Sequence, residues 1–234
     1  MKTHPPHLPD PASGVDSDPD SPLAAITATL EEDIVFGRLH PRERLTEDEL
    51  MRRFDSKRHA VREVLARLER MGLIERRRNV GALVRSFSGK EVVELYAVRA
   101  LLESEAARLI ALPVAPAALE RLVAIQARHD AAVRAGSAPR VFRENLAFHQ
   151  AFFELTGNQT LQRAIAEYAR QTHPIRFGAL IAADYRERSR SEHWRMIEAL
   201  REGQRKALVA LCKQHLLPSR DAYLAAHTHH FKPT

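Results

Sequence analysis

Between Thr46 and Arg85 two short amphipathic helical patterns, a three-residue polar break and a strand–turn–strand pattern follow one another almost without linker. Few folds accommodate that order. Thr46 with Glu49 forms a capping box, and Glu47, Asp48 and Glu49 place acidic charge where the helix dipole favours it. The spacing therefore predicts a helix from Thr46 to about Phe54. After Asp55-Ser56-Lys57 a second helix runs from about Arg58 to Met71, with Val61, Val64, Leu65, Leu68 and Met71 on one face and Gly72 as its C′ residue. Leu73–Arg77 and Ala82–Arg85 flank a turn at Asn79-Val80-Gly81 and predict a two-stranded hairpin with a basic tip. Upstream, Ile26, Leu30 and Ile34 sit four apart in a helix over 23–36 that Gly37 ends, and His40-Pro41 forms a turn. Together these elements predict a winged helix-turn-helix.

Charge reinforces that reading. Of the chain's net +6, residues 38–85 hold fourteen basic against eight acidic residues, whereas residues 1–37 are strongly acidic. A dense positive segment is the footprint of a phosphate-backbone binder, although a solvated arginine-rich face has the same composition. Residues 1–21, interrupted by Pro5, Pro6, Pro9, Pro11 and Pro19, read as a disordered tail without the apolar core of a signal peptide. No apolar run approaches the ~18–20 residues that a spanning helix needs. The single cysteine, Cys212, excludes an internal disulfide and suits a reducing cytoplasm.

After Ser86 the pattern becomes purely helical. Helices are predicted at about 89–112, 116–136, 139–156, 159–183, 189–202 and 204–227, with breaks at Pro113, Gly136–Pro139 and Gly157-Asn158. The fold class is thus mostly α: a winged helix-turn-helix with a small hairpin over 22–86, then an antiparallel all-α bundle over 87–228. The last residues, from about His227, are predicted to fray.

Gly37–Leu50, Val61–Glu69, Gly72–Arg77 and Asn79–Ala82 resemble the DNA-binding domain of the GntR family of bacterial regulators. The resemblance implies contacts to DNA from Arg44, Arg58 and Arg62, in a fold that puts the N-terminus of its third helix at base edges in the major groove. Arg58 and Arg62 are i and i+4 and share a face offset from the Val61/Leu65/Leu68 stripe. The wing, Arg76 to Arg78 with Gly81, is a candidate for minor-groove or phosphate contact. The family's usual Gly-Val-Ser-Arg-Thr-Pro-Val is here Asp55-Ser56-Lys57-Arg58-His59-Ala60-Val61. Ser56 is therefore expected to take over the cap, and Lys57 and His59 become candidate DNA contacts.

The helical part resembles the FCD domain of the fatty-acid-regulator branch of that family, through Glu94–Glu103, Asn145–His149, Thr156–Leu161, Glu192-His193 and Gln214–Leu216. The residues point to a site on their own account. His149 lies on the stripe of Phe142, Leu146, Phe152 and Phe153. His193 lies with Met196, Ile197 and Leu200, and His215 follows Leu208, Leu211 and Cys212. Three histidines aimed into one bundle are difficult to satisfy without a metal, because neutral imidazoles need partners and imidazoliums repel. Three such ligands with open positions suit Zn²⁺, with Ni²⁺ or Mn²⁺ as alternatives. Three hydrogen-bonded core histidines are the other reading. Asn145, four residues before His149, shares its face. Metal-binding members commonly carry Asp there, and an amide oxygen brings no charge.

Arg99, beside Leu95 and Leu102, is a candidate for holding the carboxylate of a small organic-acid effector. An ordinary i+4 salt bridge to Glu103 is its alternative. The sequence thus points to a ligand-responsive regulator: a cytoplasmic homodimer on double-stranded operator DNA, not an enzyme and not membrane-bound, with repression relieved by ligand as the commoner arrangement in the family it resembles. A DNA-binding dimer whose helical domain is only structural, and a metal-dependent enzyme, are the competing classes.

Overall fold

The structure is a computed structural model and describes residues 21–176 and 182–227. The predicted tail up to residue 20, residues 177–181 and the end from 228 lie outside the described residues.

Pro22–Val35 form α1, started by the Ser21 side chain and Pro22 at its first position. Arg44–Leu45 form β1, Glu47–Phe54 α2, Arg58–Arg70 α3, Ile74–Arg77 β2 and Gly81–Val84 β3. Thr46 caps α2 as the sequence predicts, its hydroxyl accepting from the Glu49 amide. Asp55 closes α2 at φ +44°, in the left-handed region. That conformation accounts for the glycine common at this position in the family, and aspartate is one of the few side chains that tolerate it. The expected cap at Ser56 does not form: Lys57 holds the N-cap of α3 without a side-chain hydrogen bond. Gly72 follows α3 at φ +72°, the left-handed turn expected of a C′ residue.

The wing is three-stranded rather than two-stranded. β3 pairs antiparallel with β2 and, on its other side, with β1, whose register sets Leu45 against Ala82. At two residues β1 is too short for any periodicity to reveal it. Leu30, Ile34, Leu45, Leu50, Val61, Leu65, Leu68, Leu73 and Val84 close one core between α1, α2, α3 and this sheet.

The rest is helical: α4 (Gly89–Leu109), α5 (Pro116–Arg134), α6 (Ala138–Glu154), α7 (Gln159–Gln171), a 3₁₀ turn at Pro174–Arg176, α8 (Ala183–Arg201) and α9 (Arg205–His227). Ser88 and Glu91 start α4 with a reciprocal capping box. Two boundaries differ from the sequence expectation. The helix expected over 159–183 stops at Gln171, where the Thr172 hydroxyl turns back to the carbonyl of Ala169 at 2.7 Å. The helix expected from 189 starts six residues earlier, because a charged first turn carries no apolar period to mark it. α4 packs on α9 and α7, while α5 packs on α6 and α8. The core between them is built on Phe148, Phe152, Met196, Ile197, Leu200 and Leu208.

The two halves touch through α1. Val35 packs with Phe142, the Phe36 and Phe142 rings meet edge to face, and His173 Nδ1 lies 2.9 Å from Glu31. Arg143 donates to Glu32 at 2.6 Å.

Candidate functional site

The α3 helix puts Lys57, Arg58, His59 and Arg62 on an exposed face, because Val61, Val64, Leu65 and Leu68 take the buried one. A groove of about 530 Å³ runs between this helix and the wing, lined by Arg44, Arg58, Arg76, Arg77, Arg78 and Gly81 among others. Gly81 sits at φ +101°, which suits only glycine, and lets the backbone turn past Arg44. Of the residues singled out in the sequence, Arg44, Arg58, Arg78 and Gly81 are therefore brought into one concave basic surface. Arg62, Lys57 and His59 lie exposed beside it.

Two acids share that surface. Arg58 pairs with Glu47 at 3.1 Å and Asp48 at 2.8 Å, and Arg62 Nε donates to Glu47 at 2.9 Å. The hydrogen bond from Arg62, opposed by burial, holds the Glu47 carboxyl below its ordinary range. Exposed pairs of this kind contribute about 0.2–1 kcal/mol. A bidentate arginine–guanine contact is worth about 1–3 kcal/mol, so DNA can displace them.

In the helical half, α6, α8 and α9 bring His149, His193 and His215 together. Their ligand nitrogens all lie within 4.8 Å of one another, with 3.1 Å between Nε2 of His149 and Nε2 of His215. Tetrahedral Zn²⁺ with Zn–N of about 2.0–2.1 Å sets its nitrogens about 3.3 Å apart. The outward nitrogens are fixed. His215 Nδ1 donates to Glu192 at 2.7 Å, and His193 Nδ1 donates to the Gln126 amide oxygen at 2.9 Å. Although burial pushes Glu192 up, the hydrogen bonds from His215 and Arg188 hold it below its ordinary value, so it is an ionised acceptor. Each bond puts a proton on Nδ1 and turns Nε2 inward, the orientation a metal takes.

His193 Nε2 is fully buried without a partner, and Nε2 of His149 lies 3.1 Å from Nε2 of His215, a distance at which one of the two rings donates to the other. Burial, followed by the neighbouring His215, drives His149 and His193 well below the ordinary imidazole range, so both are neutral donors. The donor set therefore fits a divalent ion. Asn145 is buried one turn before His149 on α6.

Arg99 is buried, but its guanidinium is engaged. Nε and Nη2 reach Glu103 at 2.8 and 2.7 Å, and Nη1 donates to Thr172 at 2.9 Å. Of the two readings of Arg99, the salt bridge is the one seen. Arg176, in contrast, is buried with its Nε unpartnered.

Sequence reasoning missed Gln126, Glu192 in its role on His215, and His129. His129 packs against His193 with ring centroids 5.0 Å apart, and burial brings it down to about 4. The signal for Gln126 was its place on the buried face of α5 between Leu122 and Asp130. A cleft of about 700 Å³ opens at His149 between α6 and α7 and extends past Arg170 to His173 and to Glu31 of α1.

A winged DNA-binding unit joined to a helical domain with a histidine centre defines a class of bacterial regulator, and comparison with known proteins places the chain in it. Residues 22–84 match the family of bacterial regulatory proteins designated gntR, and residues 94–217 match the FCD domain. The chain belongs to the GntR family of transcription regulators, in its FCD-bearing branch. It is 26% identical over 192 residues to the HTH-type transcriptional regulator YdhC of Bacillus subtilis (strain 168), covering 80% of this chain and 83% of that one. E. coli McbR/YncC shares the fold with a TM-score of 0.76 at 18% identity, over 89% of this chain and 99% of that one. A putative GntR regulator from Rhodococcus sp. RHA1 does so with a TM-score of 0.73 at 20% identity, over 87% and 98%. GntR-family regulators bind DNA and often form dimers. Among the described residues no helix is long and apolar enough to cross a membrane.

Proposed function

We propose that this DNA-binding regulator is a ligand-responsive repressor that senses a small organic acid through a divalent metal in its helical domain. The observation that carries this reading is the convergence of three imidazoles, two of them oriented by dedicated partners, Glu192 and Gln126. Such outer partners are what metal-binding histidines require, and structural histidines have no need to leave His193 Nε2 buried and unpaired. His149, His193 and His215 would hold the ion, with Asn145 as a neutral fourth ligand. A bound ion supplies a positive, Lewis-acidic centre for the oxygens of a hydroxy- or keto-acid.

Arg44, Lys57, Arg58, His59, Arg62, Arg78 and Gly81 form the DNA-contacting set of this reading. Arg58 and Arg62 read bases and the wing follows phosphates or a minor groove. A homodimer places two such units on the half-sites of a pseudo-palindrome. The cleft at His149 reaches Glu31 of α1, so an acid bound there meets the contact between the two halves. Ligand binding then shifts the population of DNA-competent arrangements. Arg99 ties α4 to the residue that follows α7, through Thr172, and is balanced by Glu103.

The test is a Zn²⁺ titration of metal-stripped protein by calorimetry. The reading requires binding in wild type that is lost in His193→Ala. Equal binding by both, or none by wild type, rejects the metal centre.

A further inference from the structure

We propose that Asp130, one turn beyond Gln126 on α5, positions His193 for the ion by fixing which way round the Gln126 side-chain amide lies. This rests on the metal reading above and deepens it.

Gln126 and His193 are fully buried, and Asp130 is nearly so. A side-chain amide donates at one end and accepts at the other, so its effect on a neighbour depends on its orientation. The Nε2 end of Gln126 faces acceptors: it donates to Asp130 Oδ1 at 2.8 Å, and the Arg190 carbonyl oxygen lies 3.5 Å away. Turned about, the amide would set its oxygen against a carboxylate and a carbonyl in the interior, where mismatched polar atoms cost most. Its oxygen is thereby left to His193, which donates from Nδ1 at 2.9 Å. A neutral imidazole has one N–H, so a proton held at Nδ1 is one that does not block Nε2. That Nε2 is buried without a partner, in a ring clustered with His149 and His215.

Asp130 is itself held in place. Trp194 Nε1 donates to its Oδ2 at 3.0 Å, and Arg190 Nη1 lies 3.8 Å from the same oxygen. Both residues come from α8, the helix that carries His193. The chain Trp194–Asp130–Gln126–His193 thus leaves α8, crosses to α5 and returns to the residue beside its start. Indole is a donor only, so it engages one carboxylate oxygen as an acceptor and leaves the other for Gln126. Asp130→Asn keeps the shape but reverses one link. The new amide gives its oxygen to Trp194, so its NH₂ meets Gln126. Gln126 then turns its own oxygen toward position 130 and its NH₂ toward His193. Nδ1 becomes an acceptor, and the proton moves to Nε2, the nitrogen needed for the ion.

The experiment compares full-length wild type, Asp130→Asn, the double variant Gln126→Glu/Asp130→Asn, and Trp194→Phe. Calorimetry gives Zn²⁺ affinity. Long-range ¹H–¹⁵N spectra of the metal-free proteins show which nitrogen of His193 carries the proton, with His193→Gln identifying its signals. Asp130→Asn should bind Zn²⁺ about 10–100-fold more weakly and carry the His193 proton on Nε2. The double variant keeps the net charge and offers an acceptor oxygen to each neighbour. It should recover most of the lost affinity and the Nδ1 proton. Trp194→Phe breaks the link between helices but leaves Asp130 to Gln126, and should keep both. The inference is overturned if Asp130→Asn retains the Nδ1 proton and wild-type affinity, or if the double variant binds no better than the single one. It is also overturned if Trp194→Phe loses affinity with the Nδ1 proton in place, as a mere clamp between α5 and α8 would. If wild type binds no Zn²⁺, the metal reading falls. The His193 proton then decides alone: moved by Asp130→Asn it upholds the role of Asp130, and unmoved it ends it.

Discussion

Asn145 is the residue on which the two readings of the histidine centre part most sharply. If an ion sits among His149, His193 and His215, Asn145→Asp adds a full negative charge beside it and raises metal affinity. If the histidines are only structural, the same change buries a carboxylate without a partner and costs several kcal/mol or raises its pKa. Thermal melts of the variant with Zn²⁺ and with chelator read the sign. The metal centre predicts a larger Zn²⁺-induced rise than in wild type, and a destabilised variant indifferent to both additions favours the structural account. At the DNA surface, Arg58→Ala or Arg62→Ala should weaken operator binding by about 1–3 kcal/mol each. Both side chains lie off the Val61–Leu68 stripe, so the melting temperature should hold. Gel-shift titration checks this, and wild-type affinity would reject the assignment. The histidines and these arginines were legible because each sits at a fixed step from an apolar stripe. Gln126 and the role of Glu192 on His215 were not, because their meaning lies in partners found across the bundle: Gln126 meets His193 sixty-seven residues away.

Among the elements, α1 has the largest reach. It belongs to the DNA-binding core through Leu30 and Ile34, yet its Glu31 and Glu32 hold His173 and Arg143 of the other half. Nothing in the periodicity of α1 announces this second face, since Glu31 and Glu32 read as ordinary helix-surface charge. Burial lowers His173 below the ordinary imidazole range, with Glu31 opposing. A histidine whose folded pKa is depressed favours the fold in its neutral form. Its contribution is present above about pH 6.5 and is lost as pH falls toward the lower folded value. Arg176 and Arg99 press it the same way. The acid-induced drop in melting temperature between pH 7 and pH 5 should therefore be smaller in His173→Gln than in wild type, and an unchanged drop would show that His173 is not part of it. The helix ends were the least readable feature. α7 stops at Gln171 because Thr172 satisfies a backbone carbonyl, an interaction that no apolar spacing records.

For the whole molecule, the mostly α fold and its order of units could be read from one switch, from helix–helix–hairpin to unbroken helical periodicity after Ser86. The two-residue β1 and the α1 bridge could not, because both depend on contacts distant in sequence. In the proposed homodimer the basic segment is doubled, which predicts steep salt dependence of operator binding, with affinity falling by orders of magnitude between about 50 and 200 mM salt for six to ten phosphate contacts. A nearly flat dependence would refute the electrostatic reading of residues 38–85. The central claim is that one chain couples a metal-held acid to DNA. It is tested most directly by operator affinity of Zn²⁺-loaded protein measured across a panel of small hydroxy- and keto-acids, in wild type and in a variant with His149, His193 and His215 replaced by alanine. The account predicts that at least one acid shifts wild-type affinity by about fivefold or more and leaves the triple variant unmoved. No shift with any acid, or the same shift in both proteins, would contradict it.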